Sequence, residues 1–379
     1  MAVSGFVMGT AEFIITGLLP QVATDLGISI PTAGLLISGY ALAIVVGGPT
    51  CTLAGTRVPR KTLLLTAIAV FVLGTLTSAL APGYGILMTG RILAALGQAT
   101  FLGVGSAVAA DLVPDHLRSR AVAMVFTGIT LATVIGTPLG TLLGQHLGWR
   151  VVFWLITAVA VTSLATVAAL VPTQPRSGQI AMRAELATFT QPVVWVTLGI
   201  ATLGIGGLFA SFSYIAPLLT RVTGLSEAAL SPLLALFGIG LVVGNLVGGW
   251  AADRSRTATL AGALLIQVVA MTTLATLAHH TLATSVGLFA MGAAGFAIVP
   301  AFLSRLLDLA GRESPLATAV GGSATNLGTA AGSYLGGLTL TTGLGYTAPT
   351  WLGTAMAALA LALTVPALHR ARTRRRWQR

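Results

Sequence analysis

Apolar runs of about 20 residues, cut by short clusters of Gly, Pro and charged residues, recur twelve times along the chain. At 1.5 Å per residue such a run matches the roughly 30 Å hydrocarbon core of a bilayer. The pattern predicts membrane spans over 1–22, 32–55, 61–81, 84–109, 119–144, 149–171, 191–219, 228–251, 257–278, 281–307, 315–343 and 347–368. The longest non-apolar stretch, 172–190, reads as an interdomain linker between 1–171 and 191–379, with six spans on either side. The expected fold is an all-α polytopic membrane protein of twelve transmembrane helices in two pseudo-symmetric six-helix bundles.

Internal repetition supports the division. A shift of 197 residues brings Pro20, Gly27 and Ser29 onto Pro217, Gly224 and Ser226, and Val45-Val46-Gly47 onto Val242-Val243-Gly244. The same shift places Arg57 on Arg254, Gly90 on Gly287 and Asp111-Leu112 on Asp308-Leu309. Beyond a shortened loop the shift becomes 188, and TPLGTLLGQHLG from Thr137 meets TNLGTAAGSYLG from Thr325. A repeat of six spans brings both halves into the membrane with the same orientation.

Basic residues set that orientation. Arg57, Arg60, Lys61, Arg118, Arg120, Arg176, Arg183, Arg254, Arg256, Arg305, Arg312 and the tail RARTRRRWQR fall on one side; Arg150 and Arg221 fall on the other. The positive-inside rule therefore places both termini in the cytoplasm, with the tail against anionic lipid. No positive n-region precedes the first span, so no cleavable signal peptide is expected. A span starting at Met1 has barely the length to cross, as if the chain began further upstream.

Composition agrees. The chain is 55% hydrophobic and 8% charged, against about 25% charged residues in soluble domains. Its net charge of +11 comes from arginines flanking spans, which argues against a nucleic-acid partner. The lone cysteine, Cys51, excludes an intrachain disulfide, a CxxC pair and an iron–sulfur cluster, and reads as an apolar filler. No GxxxxGK[ST] loop, HExxH or zinc-ligand cluster occurs, so no cofactor, metal or enzymatic activity is expected. His279 and His280 read as solvated in an outer loop.

One carboxylate, Glu12, sits inside the first span, where an acid at mid-bilayer costs roughly 2.5 to 3.5 kcal/mol. Its helical neighbours Gly5, Met8, Gly9 and Thr16 form a small and polar stripe suited to packing or a cavity. Arg91, in the fourth span, lies about as far inward of Gly83 as Glu12 does of Pro20, so the two can share one depth. Two readings stand. Either they form a salt bridge that ties the spans together, or Glu12 exchanges a proton for substrate while Arg91 offsets its desolvation. The repeat maps Glu12 to Phe209 and Arg91 to Leu288, which confines charge to the first half.

The repeat also pairs Tyr40 with Phe237 and Pro138 with Asn326. With Gln98, Phe209, Phe212, Tyr214 and Asn245 these supply aromatic walls and a few amides, the makeup of a small-molecule pocket, although each aromatic singly also suits ordinary helix packing. Gly136, Pro138 and Gly140 are expected to bend the fifth span and let it approach a neighbour.

Two parallel six-span halves joined by a cytoplasmic linker resemble the major facilitator superfamily. PQVATDLG from Pro20 resembles the twelve-span drug:proton antiporters, and TLAGTRVPRKTLLL from Thr52 resembles the signature G-x-L-A-D-R-x-G-R-K. Thr56 replaces its Asp and Pro59 its second Gly, whereas GWAADR, from Gly249, keeps the acid. GRILAALGQA resembles the intramembrane-Arg motif, and GTPLGTLLG from Gly136 the Gly-Pro antiporter motif. With MGTAEF and LGWRVVFW, the order and spacing narrow the resemblance to chloramphenicol-resistance, arabinose-efflux-like and purine-nucleoside exporters.

The resemblance implies proton-coupled efflux of a small-molecule drug, with chloramphenicol or a related amphenicol as the best candidate and a sugar or purine nucleoside as the alternative. A membrane sensor or enzyme is the remote alternative. It implies a monomer in the cytoplasmic membrane, with protons, substrate and lipids as partners. Glu12 and Arg91 take the proton-coupling role; Arg57, Arg60, Asp253 and Arg254 take a gating role beside Gly136, Pro138 and Gly140. Asp253 is expected to contact the region between the tenth and eleventh spans, or a helix N-terminus, when the cytoplasmic side is closed.

Overall fold

Every regular element described in the computed structural model is helical. The structure describes residues 1–54, 58–114, 117–172, 187–310 and 315–377. The helices are α1 (Ala2–Asp25), α2 (Ile30–Ala54), α3 (Arg60–Ala79), α4 (Tyr84–Asp111), α5 (Arg118–Leu131), α6 (Thr137–Leu147) and α7 (Trp149–Leu170). They continue as α8 (Pro192–Phe212), α9 (Ile215–Arg221), α10 (Leu230–Thr276), α11 (Thr281–Ala310), α12 (Pro315–Thr341) and α13 (Ala348–Trp377).

The helical run is irregular at three places. A π turn, Ala132–Gly136, joins α5 to α6, with Thr137 N–H reaching back to Ala132 O. It ends two residues before Pro138, whose missing N–H leaves the helical ladder open there. α8 and α9 meet at a break over Ser213 and Tyr214, which the sequence reading did not foresee. α10 turns at Ser255 (φ −164°, ψ 97°) and holds two passages. Counted this way, the described residues form twelve helical passages. Ten stretches among them are long and apolar enough to cross a membrane, one of which, Glu227–Thr276, contains both arms of α10. The Gly-, Ser- and Thr-rich α12 is not among the ten.

The chain divides into two compact units, Met1–Ile180 with Ser226–Ala235, and Ala181–Leu225 with Leu236–Arg379. In the first unit α1 is packed on several sides, and Val7, Met8, Ala11, Ile14, Ile15, Leu18, Leu19 and Val22 are all buried. In the second unit α8 has the corresponding role, with Val194, Leu198 and Ile200 packed among Leu260, Leu264, Ile298, Phe302 and Leu306. Outward faces are apolar as well: Leu73, Ile86, Trp154, Leu246 and Leu265 are exposed.

Lipid tails are as apolar as Leu, so burial gives little reason for one helix to prefer another over lipid; close approach and interhelical hydrogen bonds decide. Glycine supplies the approach. A Cβ on Gly328, Gly332 or Gly336 of α12 would lie 2.4, 2.0 or 2.7 Å from the carbonyl oxygens of Thr202, Gly206 and Ala210. In the first unit Gly74 and Gly90 face each other across α3 and α4 in the same manner. The repeat reappears in this packing, because Gly47 lies against Leu96 and Gly244 against Ala293, both pairs related by 197 residues.

Candidate functional site

The stripe around Glu12 is used for packing. Gly5 and Gly9 press against the backbone of the fifth passage, at Val125 O and Ile129 Cα, while Met8 and Thr16 are buried. This holds α1 close to its neighbours and fixes the side from which Glu12 departs. Glu12 keeps part of its surface accessible.

Its carboxylate accepts a hydrogen bond from Gln98, Nε2 to Oε2, at 2.6 Å. Gln98 Oε1 in turn accepts from the Tyr40 hydroxyl at 2.6 Å. Arg91 does not grip the carboxylate. It donates to the backbone oxygens of Ala11 and Glu12, the latter at 3.1 Å, and its Cζ lies 4.0 Å from the Tyr40 ring centre. The Arg91 Nε is buried without a partner. Arg91, Gln98 and Tyr40 are each 1% exposed, so Glu12 is the member of the cluster that solvent or a ligand can reach. The salt bridge offered by the sequence reading thus takes another form: α1 and α4 are tied through backbone carbonyls. The arrangement leaves an acid with access, one neutral donor and a buried cation close by.

The repeat-related positions in the second unit are apolar. Phe209 and Phe212 meet edge to face at 6.0 Å, and Phe212 stacks on Phe237 at 3.9 Å. Gly295 stands where the first unit has Gln98, and a Cβ there would lie 2.6 Å from Leu208. Leu288 is buried in place of Arg91. The same scaffold position therefore carries a polar cluster in one unit and an aromatic one in the other.

The remaining candidates have other partners. Tyr214 is buried and donates its hydroxyl to Ser333 O at 2.8 Å, beside a 2.6 Å contact between Ser213 Oγ and Ser333 Oγ, so both residues pin the α8–α9 break to α12. Asn326 donates to Gly322 O of its own helix at 3.0 Å, and Asn245 is exposed on α10. Gly136 and Gly140 pack against Thr10 and Ile14 of α1. Pro138 is buried, and its carbonyl accepts from Ser231 at 2.9 Å, within the first unit as divided above.

Of the gating candidates, Arg57 lies outside the described residues. Arg60 pairs with Asp111, and the pair recurs in the second unit as Arg256 with Asp308. Asp253 is exposed, and Arg254 lies 3.5 Å over the Trp250 ring while donating to Trp250 O at 3.0 Å. The repeat had aligned Asp111 with Asp308, a signal that could have found both pairs.

A second charged cluster went unread. Asp25 Oδ2 accepts from Arg150 at 2.5 Å and from Trp149 Nε1 at 3.0 Å, and Arg150 also reaches Ala81 O at 3.0 Å. It joins the two motif strings PQVATDLG and LGWRVVFW, tying the end of α1 to the start of α7. No group of His, Cys, Asp and Glu among the described residues could hold a metal ion.

The profile of the Major Facilitator Superfamily matches residues 1–233 and 198–379. The inner membrane transport protein YdhP of Escherichia coli is 38% identical, over 96% of this chain and 93% of its own. A chloramphenicol resistance protein of Streptomyces lividans is 34% identical, over 97% and 94%. The putative transporter AraJ of Escherichia coli is 33% identical, over 91% and 88%. A crystal structure of the peptide transporter POT with alafosfalin superposes with a TM-score of 0.77 at 14% identity, over 98% of this chain and 93% of that one. The human organic anion transporter MFSD10 gives 0.68 at 18%, over 96% and 97%.

Proposed function

This chain belongs to the major facilitator superfamily, and we propose that it exports a small-molecule drug in exchange for protons, with chloramphenicol or a related amphenicol as the substrate to try first. It is a multi-pass membrane transporter and not an enzyme. The observation that carries the proposal is Glu12: a carboxylate inside an apolar helix, reachable, held by one neutral donor and not locked to the neighbouring arginine. A group so placed can gain and lose a proton without breaking an ion pair. The amphenicol follows from the Streptomyces lividans relative.

In this reading protonated Glu12 goes with low drug affinity and the carboxylate with high affinity, so proton and drug alternate as the two halves alternate access. Such coupling requires that each ligand bind the two states with different affinity. The driving force is about 2.3 kcal/mol per 100 mV plus about 1.4 kcal/mol per pH unit, enough for a gradient of two to three decades with one proton. Within the first unit Tyr40 and Gln98 stand behind Glu12; within the second, Phe209, Phe212 and Phe237 offer an apolar surface of their own. Export of a sugar or nucleoside is less favoured, because the amide nitrogens of Asn326 and Gln267 already donate to backbone oxygens. The protein would act as a monomer in the cytoplasmic membrane with both termini inside.

The test is a resistance panel in an efflux-deficient host with an amphenicol, a sugar and a nucleoside analogue, followed by pH-gradient-driven accumulation in everted vesicles. Resistance confined to the amphenicol, and accumulation abolished by Glu12→Gln at normal expression, is the expected result. Intact gradient-driven accumulation in Glu12→Gln would overturn the proton assignment; resistance to the other compounds alone would overturn the substrate.

A further inference from the structure

Gln98 has an amide whose two ends are both in use, and they are used in a fixed sense. Its Nε2 donates to Glu12 Oε2 and its Oε1 accepts from the Tyr40 hydroxyl, both at 2.6 Å, with all its surface but 1% buried. An amide offers donors at one end and an acceptor at the other, so the direction of this chain is set by what its terminal partners can give or take. We propose that Gln98 is a positioning residue that transmits the protonation state of Glu12 to Tyr40 by turning its amide over.

The balance is simple. A proton added to Glu12 Oε2 makes that oxygen a donor and a much poorer acceptor, so the carbonyl end of the Gln98 amide becomes a better partner for it than the N–H end. Turning the amide puts Oε1 opposite the new Glu12 O–H and Nε2 opposite the Tyr40 oxygen. Tyr40 then accepts where it had donated, and its O–H must turn away from Gln98. No covalent bond other than the O–H on Glu12 forms or breaks, and loss of that proton reverses the sequence.

The surroundings favour transmission over local absorption. Arg91 lies against the Tyr40 ring and bonds the carbonyls of Ala11 and Glu12, so its bonded N–H groups are directed away from the carboxylate. Among the described elements packed on α1, Arg91 on α4 and Tyr40 on α2 are the charged or titratable groups at this depth. Asp25, Arg118, Arg120, His146 and Arg150 stand at helix ends. The second unit has no such chain, since Gly295 and Phe237 occupy the related positions.

The inference rests on the reading of Glu12 as the proton site, and an infrared difference spectrum separates the two. The purified full-length protein, with no substrate added, is taken between acid and alkaline pH. The wild type is expected to show a carboxylic C=O band that Glu12→Gln removes, together with a tyrosine C–O band that Tyr40→Phe removes. In Gln98→Leu the carboxylic band should remain and the tyrosine band should disappear. A carboxylic band without a tyrosine band in the wild type overturns the relay and spares the proton site, since a proton on Oε1 would leave the amide in place. Persistence of the tyrosine band in Gln98→Leu also overturns it. Absence of the carboxylic band overturns both. Tyr40→Phe keeps the ring under Arg91, so it reads the relay even if Gln98→Leu does not fold.

Discussion

The guanidinium of Arg91 lies over the Tyr40 ring, its Cζ 4.0 Å from the ring centre, and donates to the carbonyls of Ala11 and Glu12. A planar cation can stack and donate at once; a compact ammonium cannot. Arg91→Lys is therefore expected to lower stability by about 1 to 3 kcal/mol, the range for hydrogen bonds to charged groups, and Arg91→Ala by at least as much. Thermal unfolding of purified protein in detergent checks this, and an unchanged midpoint for Arg91→Lys would show that the stack contributes nothing.

Glu12→Asp keeps the acid and withdraws it by one methylene, roughly 1.5 Å, from a donor that now sits at 2.6 Å. That separation exceeds hydrogen-bond range. Proton-driven transport should persist at a reduced maximal rate, in contrast to its loss in Glu12→Gln. Initial rates in vesicles over a series of substrate concentrations distinguish a rate effect from an affinity effect.

Gly332→Ala would place a methyl 2.0 Å from Gly206 O, a contact between two helix backbones that no side-chain rotation relieves. Overpacking of this kind costs about 1 to 3 kcal/mol. Gly322→Ala, on the same helix with nothing within 4 Å of its Cβ, is the matched control and should be neutral or slightly stabilising. Equal effects of the two on the unfolding midpoint would contradict the packing account.

Arg60 with Asp111 and Arg256 with Asp308 are equivalent pairs in the two units, their acids related by the 197-residue shift and their arginines offset by one position, with side chains 23 to 39% exposed. Exposed pairs contribute about 0.2 to 1 kcal/mol, so Asp111→Asn and Asp308→Asn should shift stability little, and less at high salt. Swapping both members of one pair, Arg60→Asp with Asp111→Arg, should recover whatever Asp111→Arg alone loses. Failure of that recovery in a salt-controlled unfolding series would assign Asp111 some other partner.

Much of this fold was legible because a bilayer imposes length: each helix had to be about 20 apolar residues, and Gly, Pro and Arg marked the turns. The family followed from ordered motifs. What the sequence could not supply was the partner of each polar atom. Depth placed Arg91 beside Glu12, yet an arginine beside an acid can bond its carboxylate or its backbone, and one-dimensional spacing does not distinguish the two. Gln98 and Tyr40 were read as pocket residues, whereas their use as a bonded chain depends on χ angles. The break at Ser213 and Tyr214 was invisible because it is made by a hydroxyl contact to Ser333, 120 residues away.

The π turn at Ala132–Gly136 means that the fifth passage contains one residue more than a plain α-helix needs to join the same two ends. Above and below it, Gly128 and Gly140 keep their places against α1, so the surplus is stored locally and not passed along as rotation. Pro138, two residues on, prevents the ladder from simply closing over it. The passage thus accommodates one extra residue at a single turn while the helices on either side hold their register.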